Sequence, residues 1–407
     1  MQPNEALPKK PQSARLALTF SCLGHAYMHL FTAFYFVIAL SLEADWGIPN
    51  YELVKLWALG SLLVGLAALP AGWLGDRWSS SGMMTVFFTG LGISGIVCGL
   101  VDSTTALMFG LAAIGLFSAI YHPVGIAWVV KSASARGMAL AVNGIFGSLG
   151  IATAGLIAGV LIDAFSWRAA FIVPGAVCLL TGLALLVALR CGWVRETVAA
   201  REAEATHSRH DMFRVYGVLL MTMMVMGLLF HATQASLPKV FDLRLRDLAG
   251  EGALGVGALV ALVYTSSGVM QLVGGWLADR FPLKPIYLCS FLFQIPVLLL
   301  LSSAASSPLL ALAVMTVMLS AVALPAENML LAHYTPQRHR GVAFGVKFVL
   351  AFAIANPAIL LASWVEGRSG EFGELYLIMA AVAAVAAGVT LFLPGRRRGT
   401  VATVPAE

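Results

Sequence analysis

Apolar runs of about 20 residues or more recur along the whole chain and constrain its fold more than any other feature. A helix of that length crosses a hydrocarbon core about 30 Å thick, because it rises 1.5 Å per residue. Lipid offers the backbone no hydrogen-bonding partner, so we expect each run to be a helix. We therefore predict an all-α membrane protein with twelve transmembrane helices. The predicted spans are residues 16–42, 51–75, 83–101, 106–130, 138–162, 169–191, 215–241, 256–278, 285–305, 308–333, 342–364 and 375–394.

The charges indicate membrane topology. Hydrophobic residues make up 59% of the 407 and charged residues 11%, against roughly 25% charged in a soluble chain. The net charge of +5 does not point to a nucleic-acid partner, because most Lys and Arg residues lie in short loops beside the apolar runs. With both termini in the cytoplasm, 18 of the 25 lie on the cytoplasmic side and six on the other. This bias predicts a multi-pass protein of the bacterial inner membrane with cytoplasmic termini.

Three polar landmarks repeat about half a chain apart. The segment Gly72–Trp78 reads GWLGDRW and the segment Gly275–Phe281 reads GWLADRF, so five of seven positions are identical. A Ser-Ala pair followed by a proline recurs in helices four and ten, and an Arg-Gly pair recurs in the loops after them. Such self-similarity indicates two related halves. We predict residues 1–191 and 215–407 as two six-helix bundles, joined by a charged cytoplasmic linker at 192–214.

The Gly72-x-Leu74-x-Asp76-Arg77 pattern between helices two and three resembles the signature loop of the major facilitator superfamily. A second copy between helices eight and nine is also typical of that family, and the resemblance covers essentially the whole chain. It implies two pseudo-symmetric six-helix bundles, a central cavity lined by helices one, four, seven and ten, and a monomer that transports a small molecule across a lipid bilayer. After Arg77 the first copy lacks the family's further basic residues.

A narrower resemblance is to the fosmidomycin-resistance subgroup of drug exporters. It rests on the segment from Ser118 to Pro123, which reads SAIYHP, and on the glycine-rich helix five. Helix five also has the spacing of the family's antiporter motif, with Ala154-Gly155 where the motif has Gly-Pro. The resemblance implies export driven by proton exchange.

The two signature loops are a predicted cytoplasmic gate. Glycines let helices approach closely, and an aspartate at a helix end can pair with an arginine or cap a neighbouring helix. The alternative is that the loops only mark topology. The gate residues are Gly72, Asp76, Arg77, Gly275, Asp279 and Arg280. Pro123 and Pro325 are matched prolines inside helices four and ten, which we interpret as hinges, with a packing role as the alternative.

Glu327 is the one carboxylate well inside a predicted span, and Lys347 is the matching cation. A lone charge at mid-bilayer costs at least about 2.5–3.5 kcal/mol, so each needs a partner or water. Glu327 lies eight residues before the loop between helices ten and eleven, and Lys347 seven residues after it. Both therefore lie roughly 10 Å inside the cytoplasmic end. An ion pair is expected, either as a permanent bridge or as a switch that couples transport to protons.

Polar residues on the cavity-lining helices are candidates for substrate contact. His25 and His29 share one face of helix one, and histidines titrate near neutral pH. Three interpretations remain: pathway lining, interhelical hydrogen bonding and, for His25 and His29, metal binding. No further ligand on helix one supports a metal, so we predict neither metal nor cofactor. The candidates are His25, Tyr27, His29, His122, Asn143, His231, Gln234 and Asn328.

The sequence can be compared with what each class of membrane protein would require. An HExxH helix, a nucleophile beside a base and a GxxxxGK[ST] loop are all absent from the sequence, so we predict neither an enzyme nor ATP drive. A two-half repeat with rare intramembrane charges is typical of secondary transporters. We predict a proton-coupled exporter of a small organic solute. The alternatives are an importer of a small metabolite, coupled or facilitated, and a scaffold or sensor that no longer transports.

Overall fold

Helices account for all regular structure in the residues that the computed structural model describes, 11–133, 136–195, 209–335 and 340–394. Most of the predicted linker, residues 196–208, lies outside them. We label the transmembrane elements α1 to α12. They are α1 (Pro11–Ala33 and Tyr35–Trp46), α2 (Asn50–Lys55, Trp57–Leu66 and Ala68–Arg77), α3 (Ser80–Leu100), α4 (Thr104–Ser118, Tyr121–Gly125 and Ile126–Ser132), α5 (Arg136–Ala164), α6 (Trp167–Arg190), α7 (Arg209–Arg244), α8 (Ala253–Arg280), α9 (Leu283–Leu301), α10 (Ser306–Tyr334), α11 (Arg340–Ala353 and Ala355–Ser369) and α12 (Gly373–Thr390), and a short helix, Arg246–Ala249, precedes α8.

The predicted span count is confirmed within the described residues. Eleven helices are long and apolar enough to cross a bilayer, and α2 makes twelve when its bent parts are counted as one span. All connections are short except the one between α6 and α7. We call the end of the molecule where α1 begins and α12 ends the terminal end, and the other the opposite end.

Two helix breaks follow from prolines. A proline has no N–H to donate to the carbonyl four residues earlier, and its ring clashes with that carbonyl. Pro70 leaves the carbonyl of Leu66 without its helical partner, and α2 bends by 40° at that point. Pro357 stands in the same relation to Ala353, where α11 is interrupted. Both breaks therefore lie where helix hydrogen bonding fails.

The two predicted hinge prolines differ. Pro123 lies in a π-helical turn, Tyr121–Gly125, which interrupts α4. Pro325 lies inside the continuous helix α10. The matched prolines of the repeat therefore do not produce matched backbone geometry, and only Pro123 marks a local irregularity of the kind often found at functional sites.

Glycines of α5 join it to helices in both halves. A Cβ at Gly150 would collide with the backbone of Ala26 in α1, and one at Gly159 would lie 2.7 Å from the carbonyl oxygen of Ala253 in α8. Gly257 of α8 abuts the carbonyl of Gly155 in the same way. Small residues at these positions let the helix backbones touch. The glycine spacing of α5 therefore has a packing role between the two halves.

Candidate functional site

Glu327 and Lys347 form a buried ion pair between α10 and α11. The Lys347 Nζ lies 2.6 Å from Glu327 Oε1, and the two side chains are 2% and 8% exposed. The expected contact is thus present. Its depth follows from the short connection between two adjacent antiparallel helices, which sets both residues at one level.

Each member of the pair has one further polar partner. The Tyr287 hydroxyl of α9 donates to Glu327 Oε2 at 2.6 Å. Lys347 Nζ donates to the side-chain oxygen of Asn328 at 2.5 Å. Buried charges need such partners to offset desolvation. The sequence predicted Asn328 as a substrate contact, which stays a prediction, and the structure places its side-chain oxygen beside the cation.

Three of the predicted histidines meet in the N-terminal half. The ring centroids of His25 and His29 on α1 are 5.0 Å apart, and His122 on α4 lies 5.4 and 5.5 Å from them. One nitrogen from each ring lies within 4.8 Å of the others. The separation of four residues on α1 aligns two rings on one face, and the π-helical turn of α4 carries the third. We call these three residues the imidazole cluster.

Asn143 of α5 supports this cluster through its backbone and side chain. Its carbonyl oxygen lies 2.8 Å from His25 Nδ1. Its side-chain nitrogen donates to the Tyr121 hydroxyl at 2.8 Å and to the Ser21 hydroxyl at 3.3 Å. The Tyr121 ring stacks on His25 at 4.8 Å. Asn143, predicted as a cavity residue, therefore positions His25 through its carbonyl and Tyr121 through its side chain.

His122 is buried, at 8% exposure, and neither of its ring nitrogens has a hydrogen-bond partner among the described residues. Its ring stacks on Phe348 of α11 with centroids 4.5 Å apart. Phe352, one turn further along α11, contacts His122 at 5.3 Å and His231 of α7 at 6.0 Å. Phe352 therefore contacts a histidine of each half.

His231 and Gln234 line a small cavity of about 10 Å³ between the two halves, which has room for about one water molecule. Thr32 of α1 and Ser61 of α2 contribute hydroxyl groups, and Phe352 forms one wall. The cavity thus combines polar groups from both halves with an aromatic surface. The predicted role of His231 and Gln234 in substrate contact stays a prediction.

Tyr27 points elsewhere. Its hydroxyl bonds to Thr181 of α6 at 3.2 Å, and its ring packs against Phe88 of α3 at 6.0 Å. Positions two apart on a helix do not share a face, so Tyr27 cannot lie beside both His25 and His29. The structure therefore does not bring Tyr27 to the other predicted cavity residues.

The signature loops share one contact and differ in the others. In both copies the arginine lies over the tryptophan ring four residues earlier, Arg77 over Trp73 at 4.2 Å and Arg280 over Trp276 at 4.4 Å. Asp76 pairs with Lys131 of α4 at 3.3 Å, which is a contact within one half. Asp279 is exposed to solvent. The gate role of these loops stays a prediction.

The repeated glycines pack differently. A Cβ at Gly72 would lie 3.0 Å from Pro123, whereas one at Gly275 would meet nothing within 4 Å. In the second half the close approach is made by Gly274, where a Cβ would lie 2.6 Å from the carbonyl oxygen of Val322. The sequence repeat does not predict this shift by one position.

Sequence reasoning missed a set of contacts between the halves at the opposite end. Lys239 of α7 forms an ion pair with Glu43 of α1. Glu366 of α11 is buried and accepts from the side-chain amide of Asn50 at 3.2 Å. Glu366 lies just beyond the predicted eleventh span, so its burial gave no hydropathy signal. The pairing of helices so distant in sequence also had no local signal.

A third contact at that end is a helix cap. The two carboxylate oxygens of Asp163, at the end of α5, each accept a backbone N–H at the start of α8 at 2.9 Å, from Ala253 and Leu254. A carboxylate at a helix N-terminus satisfies free N–H groups and the helix dipole. Together with the two side-chain contacts, it closes the opposite end of the molecule.

The family model of the Major Facilitator Superfamily matches residues 20–266 and 246–407. The chain belongs to this superfamily. The resemblance seen in the signature loops is confirmed, whereas the subgroup resemblance stays a prediction. Among curated proteins, none matches the sequence significantly. Members of the superfamily are transporters, so the protein is a membrane transporter and not an enzyme.

Solved structures agree on the fold. The chain is similar to a bacterial homolog of the human lysosomal transporter Spinster in an inward-facing, unoccupied conformation, with TM-score 0.71, 14% identity and coverage of 94% of this chain and 95% of that one. It is also similar to a mutant of the nucleoside transporter NupG, with TM-score 0.68, 15% identity and coverage of 93% and 99%. At such identities the likeness shows the fold alone.

Proposed function

We propose that the protein is a proton-coupled secondary transporter that exports a small organic solute by alternating access. It works as a monomer in the bacterial inner membrane, with both termini in the cytoplasm. The observation that carries the proposal is the buried Glu327–Lys347 pair between α10 and α11. A structural bridge of this kind is a costly way to stabilise a membrane helix pair, because both charges must leave water.

Proton uptake by Glu327 gives the pair two states. While Glu327 is ionised, its charge neutralises Lys347 at 2.6 Å. Once Glu327 is protonated, Lys347 keeps the neutral Asn328 oxygen, at 2.5 Å, as its hydrogen-bond acceptor among the described residues. A cation at this depth then requires a new anionic partner or water. The proton therefore changes what α11 can bind and where it can rest.

Alternating access requires the contacts at the opposite end to open. The Glu43–Lys239 ion pair, the Asn50–Glu366 hydrogen bonds and the Asp163 cap all join one half to the other. α11 carries both Lys347 and Glu366, so a shift of α11 at the ion pair also acts on the closed end. This shared helix is the physical link between protonation and opening. The resemblance to drug exporters supports the outward direction.

Transport in proteoliposomes tests the proposal. A panel of organic anions, organic cations, sugars and nucleosides is screened by solid-supported membrane electrophysiology, with enclosed pyranine to report lumenal pH. We expect at least one solute to move against its gradient when protons are more concentrated on the side of the opposite end. We expect Glu327→Gln to abolish this gradient-driven accumulation. Glu52→Gln is the control, an exposed carboxylate that pairs with Lys55 three residues later on the same helix, and should keep the response.

Two results would contradict the proposal. If Glu327→Gln accumulates solute as well as the unchanged protein does under the same gradient, proton coupling through Glu327 is wrong. If the pH gradient drives solute in the same direction as the protons, the protein is an importer and the export direction is wrong.

A further inference from the structure

We propose that His25, His29 and His122 form a binding site for a divalent first-row transition-metal ion, such as zinc, nickel or cobalt. The site lies between α1 and α4 in the N-terminal half, apart from the ion pair of the proposed coupling mechanism. One nitrogen of each ring lies within 4.8 Å of the other two. Three imidazoles suit these metals, whereas magnesium and calcium prefer oxygen ligands. The proposed transport function does not require such a site.

The hydrogen bond of His25 fixes the tautomer that a metal needs. A backbone carbonyl is an acceptor, so His25 Nδ1 must carry the proton that it shares with the Asn143 oxygen at 2.8 Å. The lone pair is then on Nε2, which remains available to a metal ion. Metal-binding histidines commonly donate their other N–H to a carbonyl in this way. Gly147 makes room for this ring, because a Cβ there would lie 2.6 Å from Nε2.

His122 is more than nine-tenths buried, and both of its ring nitrogens lack a hydrogen-bond partner within the part of the chain that the structure describes. A buried polar group without a partner costs about 1–3 kcal/mol. Its ring is held by stacking on Phe348, and the π-helical turn of α4 sets its direction. A bound ion would satisfy one of the two nitrogens.

The rings must close slightly around an ion. Metal–nitrogen bonds of about 2.0–2.1 Å in a tetrahedral site place ligand nitrogens about 3.4 Å apart, closer than the 4.8 Å limit observed. Small rotations about the side-chain torsions supply this closure. Three protein ligands leave a fourth position for water or for a donor atom of a solute, as in catalytic zinc sites.

Cobalt binding to the purified full chain tests the site. The tag must contain no histidine, and the background carries His207→Gln, His210→Gln, His333→Gln and His339→Gln, which leaves four of the eight histidines. We expect one cobalt ion per chain and intense visible absorption bands of a tetrahedral ion with nitrogen ligands. Zinc should displace the cobalt. Failure to bind cobalt or zinc at 100-fold molar excess, or the weak bands of a six-coordinate ion, would overturn the proposal.

Variants then identify the ligands. His25→Gln, His29→Gln and His122→Gln should each weaken cobalt binding by about 100-fold or more, the upper range seen even for loss of supporting groups around a metal. His231→Gln is the matched control, a fourth intramembrane histidine outside the cluster, and should bind as the background does. Equal binding by the background and the His122→Gln variant would overturn the assignment.

Copper EPR of the background protein tests the site without any substitution of its ligands. Coupling of the bound copper to histidine nitrogens is expected, and its absence would contradict the site. All these measurements are made at equilibrium in detergent. Failure of the transport assay would therefore leave the site standing, and failure of metal binding would leave proton coupling untouched.

Discussion

The two halves of the molecule share a frame but differ in what they bury. Both carry the signature loop with an arginine stacked on a tryptophan. The N-terminal half gathers three histidines, of which His122 is buried and His25 is hydrogen-bonded to a backbone carbonyl. The C-terminal half buries Glu327 and Lys347, each with a second polar partner. One half thus offers neutral ligands, the other a neutralised pair of charges.

This difference separates two demands on a transporter. An imidazole nitrogen without a hydrogen-bond partner lowers stability by about 1–3 kcal/mol, which a fold can tolerate. A buried charge that loses its partner lowers stability by several kcal/mol. The N-terminal half is therefore suited to bind and release a ligand. The C-terminal half is suited to respond to a proton, which is the event that discharges a carboxylate.

Removal of the cation should have the largest effect. Lys347→Met leaves Glu327 buried without its charge partner, and we expect a loss of about 3–5 kcal/mol in stability. The loss should shrink as pH falls, because a protonated Glu327 needs no cation. Thermal unfolding in detergent over a pH series measures both effects. His122→Met is the comparison from the other half, and it should unfold close to the unchanged protein because no hydrogen bond of His122 is lost.

The double variant Glu327→Gln with Lys347→Met completes this test. With both charges gone, most of the stability should return, since replacing both partners of a buried pair is often nearly neutral. A double variant that is as unstable as Lys347→Met alone would show that the lysine acts through packing. In that case the contrast between the halves would not be one of charge.

The sequence predicted those contacts of the site that depend on spacing along one helix or across one short loop. The Glu327–Lys347 contact was predicted because a short loop joins two antiparallel helices and fixes both residues at one depth. The separation of His25 and His29 likewise fixes a shared face. The contacts of Glu366 with Asn50 and of Lys239 with Glu43 depend on how helices of different halves face each other. No local pattern encodes that rotation, so these contacts required the structure.

The repeated signature loop also shows a difference that sequence alone does not predict. Gly72 and Gly275 occupy equivalent positions of the signature loop, yet only Gly72 is in close contact, with Pro123. Sequence identity predicted equal roles because it records residue type and not the position of the neighbouring helix. The twelve spans were predicted because hydropathy and length are properties of each segment alone.

Replacing the two repeated glycines by alanine should change stability by an intermediate amount, and differently in the two halves. Gly72→Ala places a Cβ 3.0 Å from Pro123, and overpacking of this kind costs about 1–3 kcal/mol. Gly275→Ala meets nothing within 4 Å and should be neutral or stabilising, because alanine favours helix by about 1 kcal/mol over glycine. Thermal unfolding of the two variants gives the result. Equal destabilisation by both would mean that the halves pack their signature loops alike.

The smallest effect is expected where the halves agree. Trp73→Leu and Trp276→Leu each remove the ring beneath an arginine, at 4.2 and 4.4 Å, and a solvent-exposed contact of this kind contributes about 0.5–1 kcal/mol. Because the geometry is the same in both loops, the two variants should lose equal stability by thermal unfolding. A clearly larger loss for Trp73→Leu would show that the N-terminal loop holds a further contact through this ring. The loops would then differ in chemistry as well as in glycine packing, and the shared frame would be confined to the helices themselves.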